Sequence, residues 1–362
     1  MRWAKSHIPM TPGQGATHYL AGSGMAAPAA EQLPLAPHAA DLVHAGYDMP
    51  PEARRRLAER YGLADENRLM LTLGTSHAFH LLCASTLSPT DRCLVERPAY
   101  EMLVNLPGLF GASVSRFERR FEDGWRLPMS LPERIRRERP AMVLVSNPHN
   151  PSGVMLDRRD LAPVAEAVAD VQGLLAVDEV YLEYTDDPVG RSALGLGADV
   201  GGDHVAVASS FTKAYGLGTV RFGWLVASPA RIEAALQYND YISVLYPNPG
   251  AWVGLAAMNR LEALARRARD CQDRGRSIVQ AWVDERDDVT WVRPDAGIIG
   301  LPRLARVDDT EAFVERLLEE HGTLVVPGEF FEAPGHVRLG FGVEEETLRE
   351  GLVRIGLALD GL

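Results

Sequence analysis

Lysine is nearly missing from this chain: Lys5 and Lys213 are the two that occur, although Lys and Arg together number 37. Basic charge is therefore carried by arginine, whose guanidinium stays protonated in proteins and cannot form a Schiff base. Cysteine is equally sparse. Cys83, Cys93 and Cys271 show no CxxC spacing, which excludes a disulfide framework and predicts reduced, structural thiols. No run approaches the roughly 18 apolar residues of a membrane helix. No apolar stretch of signal-peptide type follows Met1-Arg2-Trp3-Ala4-Lys5, so no secretory leader and a cytoplasmic location are expected. An excess of positive charge is also missing. The net charge is −12, which argues against nucleic-acid or anionic-membrane binding. Arg54-Arg55-Arg56 and Arg136-Arg137 lie in polar helical patterns with glutamates nearby and are read as solvated faces.

What is present is the composition of a globular protein, with 46% hydrophobic and 24% charged residues over 362 positions, enough for a large domain with a smaller companion. Short apolar runs alternate with helical patterns through the first two thirds. Strands are predicted at Leu69–Leu73, Cys93–Glu96, Ser113–Phe117, Ala141–Ser146, Leu174–Asp178, Val205–Ser209 and Gly223–Val226. Helices are predicted at Pro50–Tyr61, Ser76–Thr86, Tyr100–Leu106 and Arg158–Ala169. Such alternation predicts an α/β fold with a mostly parallel sheet covered on both faces. Beyond Pro249 the rhythm changes to one long helix from about Trp252 to Arg286. Strands Val289–Val292, Thr323–Val326 and Val337–Phe341 and helices Thr310–Glu320 and Glu345–Leu359 follow, an α+β unit. The expected division is a large domain over 41–250, a small domain over 251–362, and an N-terminal arm, 1–40, joining the small domain.

The chemistry-bearing residues follow the strands, where open α/β sheets bind ligands. Gly74-Thr75-Ser76 is a glycine turn opening a helix, either an anion cradle or a simple N-cap. Asn147-Pro148-His149-Asn150-Pro151-Ser152-Gly153 is a rigid turn that can aim an amide. Asp178 ends a buried strand and needs a cationic partner, in a ligand or in an arginine elsewhere. Lys213, in the apolar Ser210-Phe211-Thr212-Lys213-Ala214-Tyr215-Gly216, is a candidate for amine chemistry, the other reading being a surface lysine. His77 and His80 lack further metal ligands and are read as a helix-surface or interface pair, and no metal site is expected. Gly216-x-Gly218 lacks the context of a dinucleotide fingerprint.

Taken in order, Gly74-Thr75-Ser76, Pro98-Ala99-Tyr100, the Asn147–Gly153 turn, Asp178-Glu179-Val180-Tyr181, Ser210–Lys213, Arg221-Phe222-Gly223-Trp224, Val326-Pro327-Gly328 and Val337-Arg338-Leu339-Gly340 resemble the class I/II aminotransferases. These are pyridoxal 5′-phosphate (PLP) enzymes of fold type I. The resemblance spans nearly the whole chain. It implies that Lys213 forms the internal aldimine and then shifts a proton from substrate Cα, that Asp178 pairs with the pyridine nitrogen, and that Tyr181 and Asn150 bond the ring 3′ oxygen. It further implies that Tyr100 stacks on the ring, that Thr75, Ser76, Ser210 and Arg221 hold the phosphate, and that Arg338, with Asn150 and Gly22, binds the substrate carboxylate. An L-amino acid and a 2-oxo acid would be the substrates, in a homodimer with the site at the interface. Tyr47 is a further candidate, for a tyrosine that reaches the neighbouring subunit's phosphate. Two alternatives stay open: a related PLP enzyme acting as a β-C–S lyase, decarboxylase or synthase, and a sensor without turnover, which would need a DNA-binding domain that is not expected here.

Overall fold

The computed structural model describes residues 16–34, 51–243 and 248–362; Lys5 and Tyr47 lie outside the described residues. Its centre is a seven-stranded sheet in the order β2-β8-β7-β6-β5-β3-β4. The strands are β2 (Leu69–Thr72), β3 (Arg92–Arg97), β4 (Ser113–Glu118), β5 (Met142–Ser146), β6 (Leu174–Asp178), β7 (Val205–Ser210) and β8 (Gly223–Val226). Strands β5 to β8 are buried along their whole length, which is why they read as unbroken Val/Leu/Ala runs without a polar alternate face. Helices Thr75–Thr86, Glu101–Leu109, Leu131–Glu138, Arg158–Asp170 and Pro229–Ile242 connect or cover them. Two apolar clusters result, one led by Phe79, Leu82, Leu144 and Leu225, the other by Val143, Val177, Phe211 and Trp224.

Parallel pairing sets Ser146 beside Asp178 and Asp178 beside Ala208. The segments that follow β5, β6 and β7 thus leave the sheet at one rim. Strand β8 runs against both β7 and β2, with Gly223 opposite Ser210 and Thr72. Its reversal brings the residues just before it, Arg221 included, to the rim where the segments after β2 and β7 emerge. The mostly parallel direction is as the sequence predicts; strand order and the reversal of β8 were not legible, because they follow from pairing across the fold.

The C-terminal part carries small sheets: β9 (Val289–Thr290) with β11 (Arg303–Leu304), and β10 (Ile299–Gly300) with β14 (Val337–Gly340) and β13 (Val326–Pro327). The N-terminal arm supplies β1 (His18–Tyr19), parallel to β12 (Thr323–Leu324). The predicted helix from Trp252 to Arg286 is two helices, Asn248–Met258 and Leu261–Asp284. The break needs no glycine or proline. Arg56 Nη1 donates to Asn259 Oδ1 at 2.7 Å, and Arg260 turns to φ −122° at the next N-cap. The predicted strand Thr323–Val326 is likewise split between β12 and β13, which pair in different sheets. The arginine runs meet carboxylates, Arg55 pairing with Glu52 and Glu59 and Arg136 with Asp170. All three cysteines are buried and free. No described helix is long and apolar enough to cross a membrane.

Candidate active site

At the rim lies a cavity of about 720 Å³ lined by Gly22, Thr75, Ser76, Tyr100, Asn150, Asp178, Tyr181, Lys213, Arg221 and Arg338, among others. Residues more than 300 positions apart in sequence thus converge in one place. Ser210 does not line it. Its hydroxyl is fully buried and shares a 2.7 Å hydrogen bond with Thr212 Oγ1, and Thr212 and Thr219 face the cavity instead. The physical reason is that Ser210 is still in strand β7, paired to Gly223, with its side chain beneath the rim.

One end of the cavity is built for an anion. Gly74 precedes helix Thr75–Thr86 without a side-chain cap, so first-turn N–H groups are available there together with the positive end of the helix dipole. Gly74 has φ +82°, and a Cβ on it would lie 2.6 Å from Arg221 Nη2. Only glycine lets the arginine close over this turn. Arg221 Nη2 donates to Leu73 O at 2.7 Å and Nη1 to Gly218 O at 3.1 Å, which fixes the fork. His77, on the same helix, accepts from Leu73 N–H at 3.1 Å and is pushed down to about 4 by burial. It holds the turn as a neutral acceptor. His80 packs between Phe110 and Tyr238.

The same cavity holds a buried guanidinium. Arg338, 5% exposed, donates from Nη1 to Asn150 Oδ1 at 3.3 Å and from Nη2 to Ala21 O at 3.1 Å. Its charge lies 4.9 Å over the Phe331 ring, and its Nε is buried without a partner. No carboxylate neutralises it among the described ion pairs, so the site favours an anionic ligand.

Asp178 and Lys213 line the cavity too. Asp178 accepts from Val180 N–H at 3.1 Å. Burial raises its carboxyl to about 7, against the nearby Lys213. No arginine pairs with it among the described residues, and Lys213 is the cation that faces it. Lys213 is pulled down to about 8, by burial first and by Arg338, with Arg221 adding and Asp178 opposing. An amine held near neutrality is a competent nucleophile and base. Its Nζ donates to Ser23 Oγ at 2.9 Å, and the Tyr181 hydroxyl donates to Ser23 O at 3.2 Å. Ser23 carries no motif signal of its own; only the docking of the arm brings it here.

Asn150 is positioned from behind. Its N–H donates to Ser146 Oγ at 3.1 Å, and that hydroxyl donates to Glu96 Oε1 at 2.6 Å. Glu96 is held by Arg119 Nη1 at 2.8 Å, both side chains fully buried. His149 lies under the same turn, bonded to Ser152 Oγ at 2.7 Å and Pro98 O at 2.9 Å. Neither Glu96 nor Arg119 is marked by sequence, because each belongs to a different strand end.

One cavity thus joins a glycine-backed helix N-terminus, a buried acid without an arginine, a near-neutral lysine and a guanidinium that no described carboxylate neutralises. The chain matches the family model for aminotransferase class I and II over residues 25–355 and belongs to that family. It is 30% identical to the arginine–pyruvate transaminase of Pseudomonas aeruginosa over 84% of this chain and 79% of the relative. It is 28% identical to the capreomycidine synthase of Streptomyces vinaceus over 83% of this chain and 77% of the relative. A PLP-dependent aminotransferase from Streptococcus suis superposes with a TM-score of 0.87 at 25% identity, covering 99% of this chain and 96% of that one. The fold is that of the fold-type-I PLP enzymes, and the cofactor of the family is pyridoxal 5′-phosphate. The donor set fits it: the cradle suits a phosphate, Asp178 a protonated pyridine nitrogen, and Lys213 the aldehyde carbon.

Proposed function

We propose that this enzyme transfers the amino group of an L-amino acid to a 2-oxo acid in a ping-pong cycle. The observation that carries the reading is the convergence of Lys213, Asp178 and Arg338 in one cavity. PLP supplies an electron sink that weakens the bonds at substrate Cα when it is bound. Asp178 would keep the ring nitrogen protonated. Asn150, and Tyr181 on releasing Ser23 O, would bond the ring 3′ oxygen, and Tyr100 would cover a ring face. Thr75, Ser76 and Arg221 would take the phosphate, with Ser210 acting through Thr212. Arg338, oriented by Asn150 and the Ala21–Gly22 backbone, binds the substrate carboxylate and so places Cα. With PLP and substrate bound, Lys213 Nζ would take up the Cα proton as general base and give it back as general acid. We place these roles in a homodimer, with the large unit at 41–250 and the small unit made from 1–40 and 251–362. The exposed Tyr241, Ile242 and Trp252 are apolar surface such an interface would cover.

The similarity to capreomycidine synthase supports a second reading, a synthase acting at an amino acid with the same cofactor and lysine. One experiment separates the two. Purified wild type and Lys213→Ala are loaded with PLP, and their visible absorption is followed on adding amino acids and then 2-oxo acids. Transamination predicts a Lys213-dependent band that amino acids abolish and 2-oxo acids restore. A band that persists while product accumulates would favour the synthase. No Lys213-dependent band would overturn both.

A further inference from the structure

Among the described residues, the hydrogen-bond partner of Lys213 Nζ is Ser23 Oγ, at 2.9 Å. Ser23 arrives there on the N-terminal arm, held at several points. Gly340 N–H donates to Leu20 O at 2.7 Å, Arg338 Nη2 to Ala21 O at 3.1 Å, the Tyr181 hydroxyl to Ser23 O at 3.2 Å, and Met25 N–H to Lys213 O at 2.9 Å. The arm therefore touches the guanidinium at one residue and the lysine amine two residues later.

We propose that Ser23 is a catalytic residue of this site, its hydroxyl receiving the Lys213 amine whenever that amine is not bonded to the cofactor and setting how readily Nζ takes up and gives up a proton. The proposal rests on the aminotransferase reading for its place in the cycle. A hydroxyl suits the task because it accepts from an ammonium and can donate to the lone pair of a neutral amine. The other charged groups facing Nζ are Asp178 from β6, Arg338 from β14 and Arg221 from the turn before β8. Two cations against one carboxylate favour the neutral amine. Ser23 is the uncharged counterweight, since a hydrogen bond accepted from an ammonium is stronger than one made with a neutral amine.

The test uses a property of the composition. With two lysines in the chain, trace acetylation of the cofactor-free full-length protein across pH, followed by peptide mapping, reads the titration of Lys213 alone. Ser23→Ala is expected to lower its midpoint by about half a unit to one unit, and Ser23→Thr to restore the wild-type value. In the PLP-loaded enzyme Ser23→Ala is expected to lower kcat roughly tenfold and to leave KM for the 2-oxo acid unchanged, since Arg338 and Asn150 are untouched. A Ser23→Ala midpoint equal to wild type, or a raised KM with unchanged kcat, would overturn the proposal. The titration needs no cofactor, so it decides on Ser23 even where the absorption spectrum decides against transamination.

Discussion

A lysine and an aspartate share a buried cavity here, and each departs from its ordinary protonation because burial costs the charged form. The consequence is a pH signature of the cofactor-free protein. Asp178 is raised from 3.8 to about 7. Its contribution to stability is therefore fully present below pH 3.8 and lost as pH rises through 7. Lys213 is lowered from 10.5 to about 8. Its contribution is present above pH 10.5 and lost as pH falls through 8. The two together place a minimum between the limbs, near neutrality. Urea denaturation of wild type and Asp178→Asn should diverge between pH 4 and 7, the variant gaining on the order of a few kcal/mol at the upper end and no more above it. A constant difference across that range would mean that Asp178 is ionised throughout. Asp178→Asn should also cost about a hundredfold or more in kcat/KM once PLP is bound, because a neutral amide does not hold the ring nitrogen protonated.

At the scale of elements, the arm and β14 are the decisive pair. Gly340 ends β14, and a Cβ there would lie 2.0 Å from Gly22 O, a backbone atom that can yield only by moving the whole arm. Gly340→Ala is thus expected to lift the arm from Arg338. Stability should fall by about 1–3 kcal/mol, and KM for the 2-oxo acid should rise more than kcat falls, as denaturation and steady-state kinetics would show. An unchanged KM would mean that the arm is not needed to orient the guanidinium. The glycine itself is plain in the sequence, in Val337-Arg338-Leu339-Gly340. Its purpose is not, because the atom it makes room for lies more than 300 positions away.

Across the whole molecule, the central sheet contributes a rigid rim, and the C-terminal sheets with the arm contribute Arg338 and the carbonyl that holds it. The exposed side chains Tyr241, 91% exposed, and Trp252, 47% exposed, flank residues 244–247 on consecutive helices. Sedimentation equilibrium should give the mass of two chains for the wild type, and Tyr241→Asp with Trp252→Asp should shift it toward one chain. A wild type that sediments as one chain would remove the interface from the functional reading.

The sequence by itself determined the α/β class, all seven strands of the central sheet and the charged and phosphate-turn residues of the cavity wall. These are local signals: apolar runs of strand length, glycine and proline turns after them, and one lysine in a chain that avoids lysine. Tertiary structure alone decided the rest. The reversal of β8 that brings Arg221 to the rim, the burial of Ser210 beneath it, the break at Asn259, the Glu96–Arg119 support of Asn150 and the meeting of Ser23 with Lys213 all depend on pairings between distant segments. A hydrogen bond or an ion pair has no local periodicity to betray it, so such contacts become visible only once the chain has folded.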